Sequence, residues 1–145
     1  MKLTHDQKSD ALCAALLALN KRCFSGVELP PDDKFISYFW EKDIFINDLA
    51  NPVAFAIIDD RGGPYIIIIA VEARMREFGI GTTLLCDIKE HYALGGKPHV
   101  SLTCKVDNWK AQRVYLKNGY RFVRVMPHYY GSDDGIFMRK ELRES

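Results

Sequence analysis

The sequence lacks a charge excess, a paired-cysteine motif and a long apolar run. Its 20 Lys and Arg residues nearly balance 19 Asp and Glu residues, and a formal net charge of +1 favours neither nucleic acid nor an anionic membrane as a partner. No segment approaches the roughly 20 apolar residues that span a bilayer. No CxxC pair occurs and no histidine stands at a zinc-binding spacing, so we expect no metal. The four cysteines, Cys13, Cys23, Cys86 and Cys104, are predicted to be reduced packing residues of a cytoplasmic protein.

The composition that is present is that of one folded domain. With 48% hydrophobic and 27% charged residues, the chain has the mixture typical of a globular protein rather than a disordered or fibrous one. Its 145 residues suffice for one core and are too few for two, so we predict a single domain over residues 1–145.

The first half of the chain is predicted to contain two helices and three strands. Thr4 or Asp6 is suited to cap a first helix that ends near Lys21, and Asp32 or Asp33 begins a short second helix. Three strand-like runs follow, and the third, PYIIIIAV, is apolar on both faces, which predicts a covered central strand. The first helix places three leucines on one face: Leu12, Leu16 and Leu19.

The second half alternates helices with strands. A helix from Gly81 to Leu94 is stopped by two glycines, and the strand HVSLTCKV leads into a helix that ends at Gly119. A final strand pair, YRFVRVM and GIFMRKEL, is predicted around the turn PHYYGSDDG. The order places one strand–helix–strand crossover among antiparallel hairpins. The inward face of the first of these helices is formed by Leu84, Leu85, Ile88 and Tyr92.

The stretch VEARMREFGIG joins the most apolar strand to a helix. Gly79 and Gly81 leave backbone N–H groups unshielded at the helix N-terminus, a geometry that binds phosphate, and Arg74 and Arg76 can add charge-assisted contacts. The alternative is a tight turn that needs a positive φ. No GxxxxGK[ST] motif occurs, and Leu84 stands where the dinucleotide fingerprint has its third glycine.

Two motifs resemble those of one enzyme superfamily. The segment RxxGxG, over residues 76–81, resembles the acyl-CoA pyrophosphate loop of the GNAT superfamily of acetyl-CoA-dependent N-acetyltransferases. The segment DNWKAQRVYLKNGYRF resembles its second conserved element, with Asn108, Ala111, Tyr115, Gly119 and Phe122 in step. The resemblance implies an α/β (α+β) GNAT fold. This fold has a mixed, largely antiparallel sheet of six to seven strands, a splayed parallel central pair and about four helices.

The resemblance also implies how acetyl-CoA binds. Pantetheine would pair with the backbone near Ala70 and Val71, amides of residues 76–82 would hold the pyrophosphate, and an N–H near Val71 would polarise the thioester carbonyl. Asn108 would contact the cofactor arm, although it also suits a helix N-cap. The cofactor residues implied are Ala70, Val71, Arg76, Glu77, Phe78, Gly79, Ile80, Gly81, Thr82, Asn108, Lys110 and Lys117.

Tyr115 would act as the general acid toward the departing thiolate, unless it is simply a core aromatic. The carboxylate that deprotonates the acceptor in many relatives is absent, because its two usual positions hold Tyr65 and Thr103. Three features resemble those of the protein N-α-acetyltransferase branch: Tyr65, the loop LPPDDKF before the sheet, and the pair Tyr129 and Tyr130. That branch implies Tyr65 as a base acting through water. His128 is a substitute candidate for the base or an exposed loop residue. The acceptor groove would be formed by Leu29, Pro30, Thr103, Tyr129 and Tyr130.

Three functions remain open at this stage. The first is acetylation of a protein or peptide α-amine, and the second is acetylation of a small amine such as a polyamine, amino acid or aminoglycoside. The third is a non-catalytic CoA-binding module, which the missing carboxylate favours. A polycationic acceptor calls for an acidic mouth, and four loop residues can supply one: Asp32, Asp33, Asp133 and Asp134. Either a monomer or a homodimer fits the pattern.

Overall fold

The computed structural model describes residues 1–24 and 29–143, in which one sheet carries helices on both faces. The α-helices are α1 (Asp10–Cys23), α2 (Asp32–Glu41), α3 (Ile80–Leu94) and α4 (Trp109–Lys117), and short 3-10 helices cover His5–Gln7 and Ala73–Phe78. The strands are β1 (Asp43–Ile46), β2 (Ala54–Asp59), β3 (Tyr65–Val71), β4 (His99–Lys105), β5 (Arg121–Tyr130) and β6 (Asp133–Glu141). None of the described helices is long and apolar enough to cross a bilayer.

The first helix begins later than the sequence predicted. Ser9 is its N-cap, and its Oγ accepts a hydrogen bond from the Leu12 N–H at 3.1 Å. Thr4 instead precedes the first 3-10 helix, where its N–H donates to Gln7 Oε1 at 2.8 Å. Neither Thr4 nor Asp6 caps α1, because this short turn and an extended Lys8 intervene. The predicted leucine face is correct and is fully buried.

The sheet has the strand order β1-β2-β3-β4-β6-β5, in which β3 and β4 are parallel and all other neighbours are antiparallel. This is the predicted mixed sheet with one parallel central pair. The predicted turn PHYYGSDDG is wrong in part, because β5 continues through it to Tyr130. Pro127 is tolerated there because β5 is an edge strand and its pairing with β6 is interrupted between Met126 and Tyr130.

Two hydrophobic cores lie on opposite faces of the sheet. Beneath α3, the four predicted inward residues pack on β1–β4 and β6, and beneath α1 and α2 a second core uses β1, β2 and β3. The strand β3 contributes to both cores, with Ile66 beneath α3 and Ala70 beneath α1 and α2, so it is a central strand covered on both faces as predicted. Its middle residues are less completely buried than those of β2. Cys13 and Cys104 are buried as predicted, but Cys86 is exposed.

Candidate active site

The parallel pair opens after two residues. Tyr65 pairs with Ser101 and Ile66 with Leu102, and beyond them β3 and β4 diverge. A backbone slot therefore lies between the carboxyl halves of the two central strands. Such a slot exposes N–H and C=O groups that an extended ligand can use.

A bulge in β3 explains the divergence. Ile57 of β2 faces Ile68, whereas Ile58 faces Ile66, so Ile67 is one extra residue in β3. A bulge bends its own strand and interrupts the ladder. The bulge could not be predicted from the sequence, because a run of four isoleucines contains neither glycine nor proline.

The ladder alternation shows which amides face the slot. The Glu72 N–H donates to the Val53 carbonyl at 2.8 Å, so this is a hydrogen-bonded pair of the β2–β3 ladder. Because such pairs alternate along an antiparallel ladder, Val71 directs its N–H and C=O away from β2 and into the slot. Ala70 lies opposite Phe55 and directs its backbone groups toward β2. Of the two predicted positions, the geometry favours Val71 as the donor to a ligand.

The loop after β3 folds back onto this position. Arg76 Nε donates to the Val71 carbonyl at 2.9 Å, and Cys23 Sγ lies 3.4 Å from the same oxygen. Arg74 is paired with Glu72 at 3.2 Å. The Val71 carbonyl is therefore already hydrogen-bonded, and only its N–H is free to bind a ligand. Arg76 mainly holds the loop against the strand. Glu77 and Phe78, which complete the second 3-10 helix, are exposed.

Gly79 forms the junction between the 3-10 helix and α3. It adopts a left-handed conformation with φ 75° and ψ 10°, and a Cβ at this position would meet no protein atom within 4 Å. The Thr83 N–H and Oγ1 donate to its carbonyl at 3.0 and 3.1 Å. The amides of Ile80, Gly81 and Thr82, in the first turn, have no acceptor within the helix. The junction is therefore an open helix N-terminus with aligned N–H groups, as predicted for a phosphate site.

The other predicted cofactor contacts lie on α4. Asn108 is its N-cap, with Oδ1 accepting from the Ala111 N–H at 3.2 Å, so the side-chain amide N–H groups remain for a ligand. Lys110 is exposed and lies over the Trp109 ring at 5.8 Å. Lys117 is at the opposite end of α4, beside Lys89 and Lys140 in a surface cavity. The structure thus keeps Asn108 near the start of the helix and places Lys117 away from it.

Tyr115 lies on the inner side of α4. Its ring packs edge-to-face on Tyr120 at 5.9 Å and joins the core beneath α3. Burial raises the pKa of its phenol, with a smaller contribution from nearby Cys104 on β4. Among the described residues no hydrogen bond involves its hydroxyl, which remains available to a ligand.

Four predicted acceptor-side residues form one hydroxyl cluster at the edge of the slot. Tyr65 donates to Thr103 Oγ1 at 2.8 Å, and its oxygen lies 2.9 Å from the Tyr129 hydroxyl. Tyr130 donates to the Thr103 carbonyl at 3.0 Å. Burial raises the pKa of the Tyr65 phenol, so it stays neutral near pH 7. We call Tyr65, Thr103, Tyr129 and Tyr130 the tyrosine cluster.

Gly135 makes this cluster possible, and sequence reasoning missed it. A Cβ at Gly135 would lie 2.8 Å from Thr103 Cγ2 and 3.1 Å from Tyr129 Cβ. Real Cβ atoms do not approach this closely, so the tyrosine pair packs over β4 only because position 135 has no side chain. A glycine inside a strand pattern was the available signal, since it marks a close approach of another group.

His128 lies beside the cluster but outside its hydrogen bonds. It adopts φ 54°, its side chain is exposed, and its N–H donates to Asp134 Oδ1 at 3.0 Å. Leu29 and Pro30 line a small cavity between α1, α2 and Ile68 of β3. Residues 25–28 of the predicted binding loop lie outside the described residues. The structure therefore assembles the tyrosines and Thr103 and keeps His128 at the rim.

The four acids predicted to form an acidic mouth are already engaged. Asp32 is paired with Lys21 at 3.0 Å, and Asp33 Oδ1 accepts from the Lys34 N–H at 3.0 Å. Asp133 is paired with Lys105 at 3.5 Å, and Asp134 accepts from the His128 N–H. Asp32 and Asp133 are therefore ion-paired, whereas Asp33 and Asp134 accept backbone hydrogen bonds and keep their charge.

Comparison with known proteins identifies the family. A model of the acetyltransferase (GNAT) family matches residues 13–120. An uncharacterized N-acetyltransferase of Methanocaldococcus jannaschii is 36% identical over 84 residues, which cover 57% of this chain and 54% of that protein. An N-alpha-acetyltransferase of Sulfurisphaera tokodaii is 32% identical over 75 residues, which cover 51% of this chain and 45% of that protein. The chain thus spans about half the length of these curated relatives.

The fold is shared with solved structures over nearly the whole chain. Ard1 from Thermoplasma volcanium superposes with a TM-score of 0.81 at 18% identity, covering 99% of this chain and 97% of that one. At this identity the likeness establishes the fold alone. Because the family model matches well over half of the residues, the chain belongs to the GNAT acetyltransferase family.

Proposed function

We propose that this protein transfers the acetyl group of acetyl-CoA directly to the α-amine of a protein or peptide. Family membership makes the chain an acyltransferase with acetyl-CoA as its cosubstrate. The observation that carries the choice of acceptor is the tyrosine cluster, a set of neutral hydroxyls where many relatives hold a carboxylate. The name of the S. tokodaii relative, an N-alpha-acetyltransferase, supports the same choice.

The chain's own groups fit acetyl-CoA on the α3 side of the sheet. The slot offers the Val71 N–H, and the first turn of α3 offers aligned amides next to the open space at Gly79. Bound there, acetyl-CoA supplies an activated acetyl thioester. The Val71 N–H is placed to stabilise negative charge on a carbonyl oxygen, as a donor of the oxyanion-hole type.

Tyr115 is the group that can stabilise a departing thiolate. Its raised pKa keeps the phenol protonated near pH 7. Because an ordinary thiol has a pKa of about 8.5, full proton transfer from this phenol would be uphill, and the phenol acts mainly as a hydrogen-bond donor. This refines the general-acid role that the family resemblance implied.

The missing carboxylate is compatible with an α-amine. An α-amino group has a pKa of about 7.7 to 8.0, so its neutral form near pH 7 costs less than about 1.5 kcal/mol, whereas a lysine side chain at about 10.4 costs roughly 4 to 5 kcal/mol. The hydroxyls of Tyr65, Thr103 and Tyr129 can orient the amine and a water that takes its proton. His128 at the rim stays a candidate to receive that proton. The ion pairs of Asp32 and Asp133 reduce the acidic charge that would attract a polyamine.

An acetyl-transfer assay with matched acceptors tests this proposal. The protein is incubated with acetyl-CoA and a thiol-detecting reagent, together with peptides that have a free N-terminus. Controls are the same peptides with a blocked N-terminus and one lysine, and a panel of polyamines, amino acids and aminoglycosides. We expect turnover of the free N-terminal peptides alone. Turnover confined to small amines would overturn the acceptor class, and tight CoA binding without any turnover would indicate the non-catalytic module.

A further inference from the structure

Half of one sheet face carries no helix. The core beneath α1 and α2 takes its strand residues from β1, β2 and β3, so no helix of residues 1–24 and 29–143 packs on this face of β4, β6 and β5. Thr103 pairs with Phe137, and Ser101 with Arg139, across β4 and β6. Tyr65 pairs with Ser101, and paired residues share a face, so this open face continues from the tyrosine cluster. We call the open face of β4, β6 and β5 the shelf.

Two arginines flank one aromatic ring on the shelf. The guanidinium carbon of Arg124 lies 4.7 Å from the centre of the Phe137 ring, and that of Arg139 lies 5.9 Å from it. The Tyr65 ring is nearly parallel to the Phe137 ring, with centres 6.5 Å apart. Phe137 thus holds both guanidinium groups beside the tyrosine that belongs to the acceptor site.

The guanidinium groups of Arg124 and Arg139 form no ion pair within the part of the chain that the structure describes. Arg139 Nε is buried without a hydrogen-bond partner. In contrast, Lys105 on the same shelf is paired with Asp133. A buried donor without an acceptor is costly, and a guanidinium group matches a carboxylate in shape and charge, so the pair is suited to bind one.

We infer that Arg124 and Arg139 bind an acidic side chain of the acceptor peptide, at its second to fourth residue. This inference rests on the proposed function, which places the α-amine at the tyrosine cluster. The steps from the Tyr65 ring to Phe137, and from Phe137 to either guanidinium, together span at most about three to four residues of extended chain at roughly 3.3 Å per residue, and an acidic side chain extends this reach. The acceptor class is therefore a peptide with a free N-terminus and an early Asp or Glu.

The test compares glutamate with glutamine in otherwise identical peptides. One series carries a free α-amine and a single Glu at position two, three or four, and the control series carries Gln there. We expect kcat/KM to be roughly ten- to hundredfold higher for Glu at one or more of these positions, because a charge-assisted hydrogen bond is lost in the control. The preference should shrink as salt is added.

Arginine variants assign the preference to the shelf. Three variants are compared with the parent: R124Q at an exposed position, R139Q, and the double variant. The control is R143Q, because Arg143 is also exposed and contacts the Gly96 carbonyl. R124Q and the double variant should lose the Glu preference, so that Glu and Gln peptides react with similar kcat/KM, and R143Q should keep the preference. The single R124Q variant suffices if R139Q does not fold. Equal turnover of Glu and Gln peptides, or a preference that survives R124Q, overturns this inference alone. Failure of every peptide to react overturns the proposed function and this inference with it.

Discussion

The two sides of the slot are built from different parts of the chain. The acetyl-CoA side consists of backbone groups within one contiguous stretch, from the bulged strand through Gly79 to the first turn of α3. The acceptor side consists of side chains from β3, β4 and the β5–β6 hairpin, brought together by the sheet. A contiguous backbone site can be altered by conformational changes at a single glycine, whereas the acceptor side depends on packing between distant segments.

The largest effect is expected from a side chain at Gly79. Gly79→Val forces a β-branched residue into φ 75°, which shifts the aligned amides and fills the open space beside them. We expect no measurable binding of acetyl-CoA in a calorimetric titration. Gly96→Val is the matched control, because Gly96 follows the other end of α3 and also has φ 75° and open space. If both variants bind alike, the amides of α3 do not hold the cofactor.

Tyr115→Phe separates the chemical step from binding. Removing the hydroxyl should lower kcat about ten- to hundredfold, since a hydrogen bond to a charged thiolate is lost, while the affinity for acetyl-CoA stays unchanged. Tyr120→Phe, in the neighbouring buried ring, is the control and should keep full turnover. An unchanged kcat in Tyr115→Phe at saturating substrates would contradict the assigned role.

Gly135→Ala disturbs the acceptor side alone. The new Cβ overlaps Thr103 Cγ2, and overpacking of this kind costs about 1 to 3 kcal/mol and displaces the tyrosine cluster. We expect kcat/KM for the peptide to fall about tenfold or more while acetyl-CoA binding is retained. Thr103→Ser removes the clashing methyl group and keeps the hydroxyl, so the double variant should recover part of the activity. No recovery would show that the contact with Thr103 is not the cause.

The smallest effect is expected at Asp59, which lies opposite Tyr65 on β2. Hydrogen bonds from Arg61, with Lys42 nearby, lower the pKa of this carboxyl to about 2. A carboxyl with a lowered folded-state pKa stabilises the fold above its unfolded value, near 3.8, and this contribution is lost as the pH falls toward 2. Asp59→Asn should therefore lower the free energy of unfolding slightly at pH 5 to 8, and this difference should shrink steadily as the pH falls through 3.8 toward 2, with acetyl transfer unchanged. A difference that is as large at pH 2 as at pH 7 would exclude the carboxylate as its source.

The sequence predicted what depends on local pattern. The GxG junction, the α3 face and the order of strands follow from periodicity and glycine placement, and all were found in the structure. The bulge at Ile67 was not predictable, because which isoleucine is extra is decided by the pairing with β2. The start of α1 was misplaced because Thr4 and Ser9 are both good N-caps, and tertiary packing selects between them.

The acceptor side was predicted in its residues but not in its geometry. Family resemblance pointed to Tyr65, Thr103, Tyr129 and Tyr130, and the hydrogen bonds between them depend on a hairpin that folds back over β4. Gly135 had only the weak signal of a glycine inside a strand pattern, and the two arginines of the shelf carry no local motif, so the register of β4, β5 and β6 is needed to reveal their role. Residues that act across strands are visible in sequence only once that register is known.

The two substrates are expected to meet in the slot from opposite faces of the sheet, acetyl-CoA from the α3 side and the peptide from the side of the tyrosine cluster. The most direct measurement is a crystal structure with CoA joined covalently to the α-amine of a short peptide that has Glu at position two, three or four. We predict the diphosphate at the first turn of α3, the sulfur between the Val71 amide and the Tyr115 hydroxyl, and the peptide nitrogen within the tyrosine cluster. A structure with the diphosphate elsewhere, or with both halves of the ligand on one face, would contradict the account.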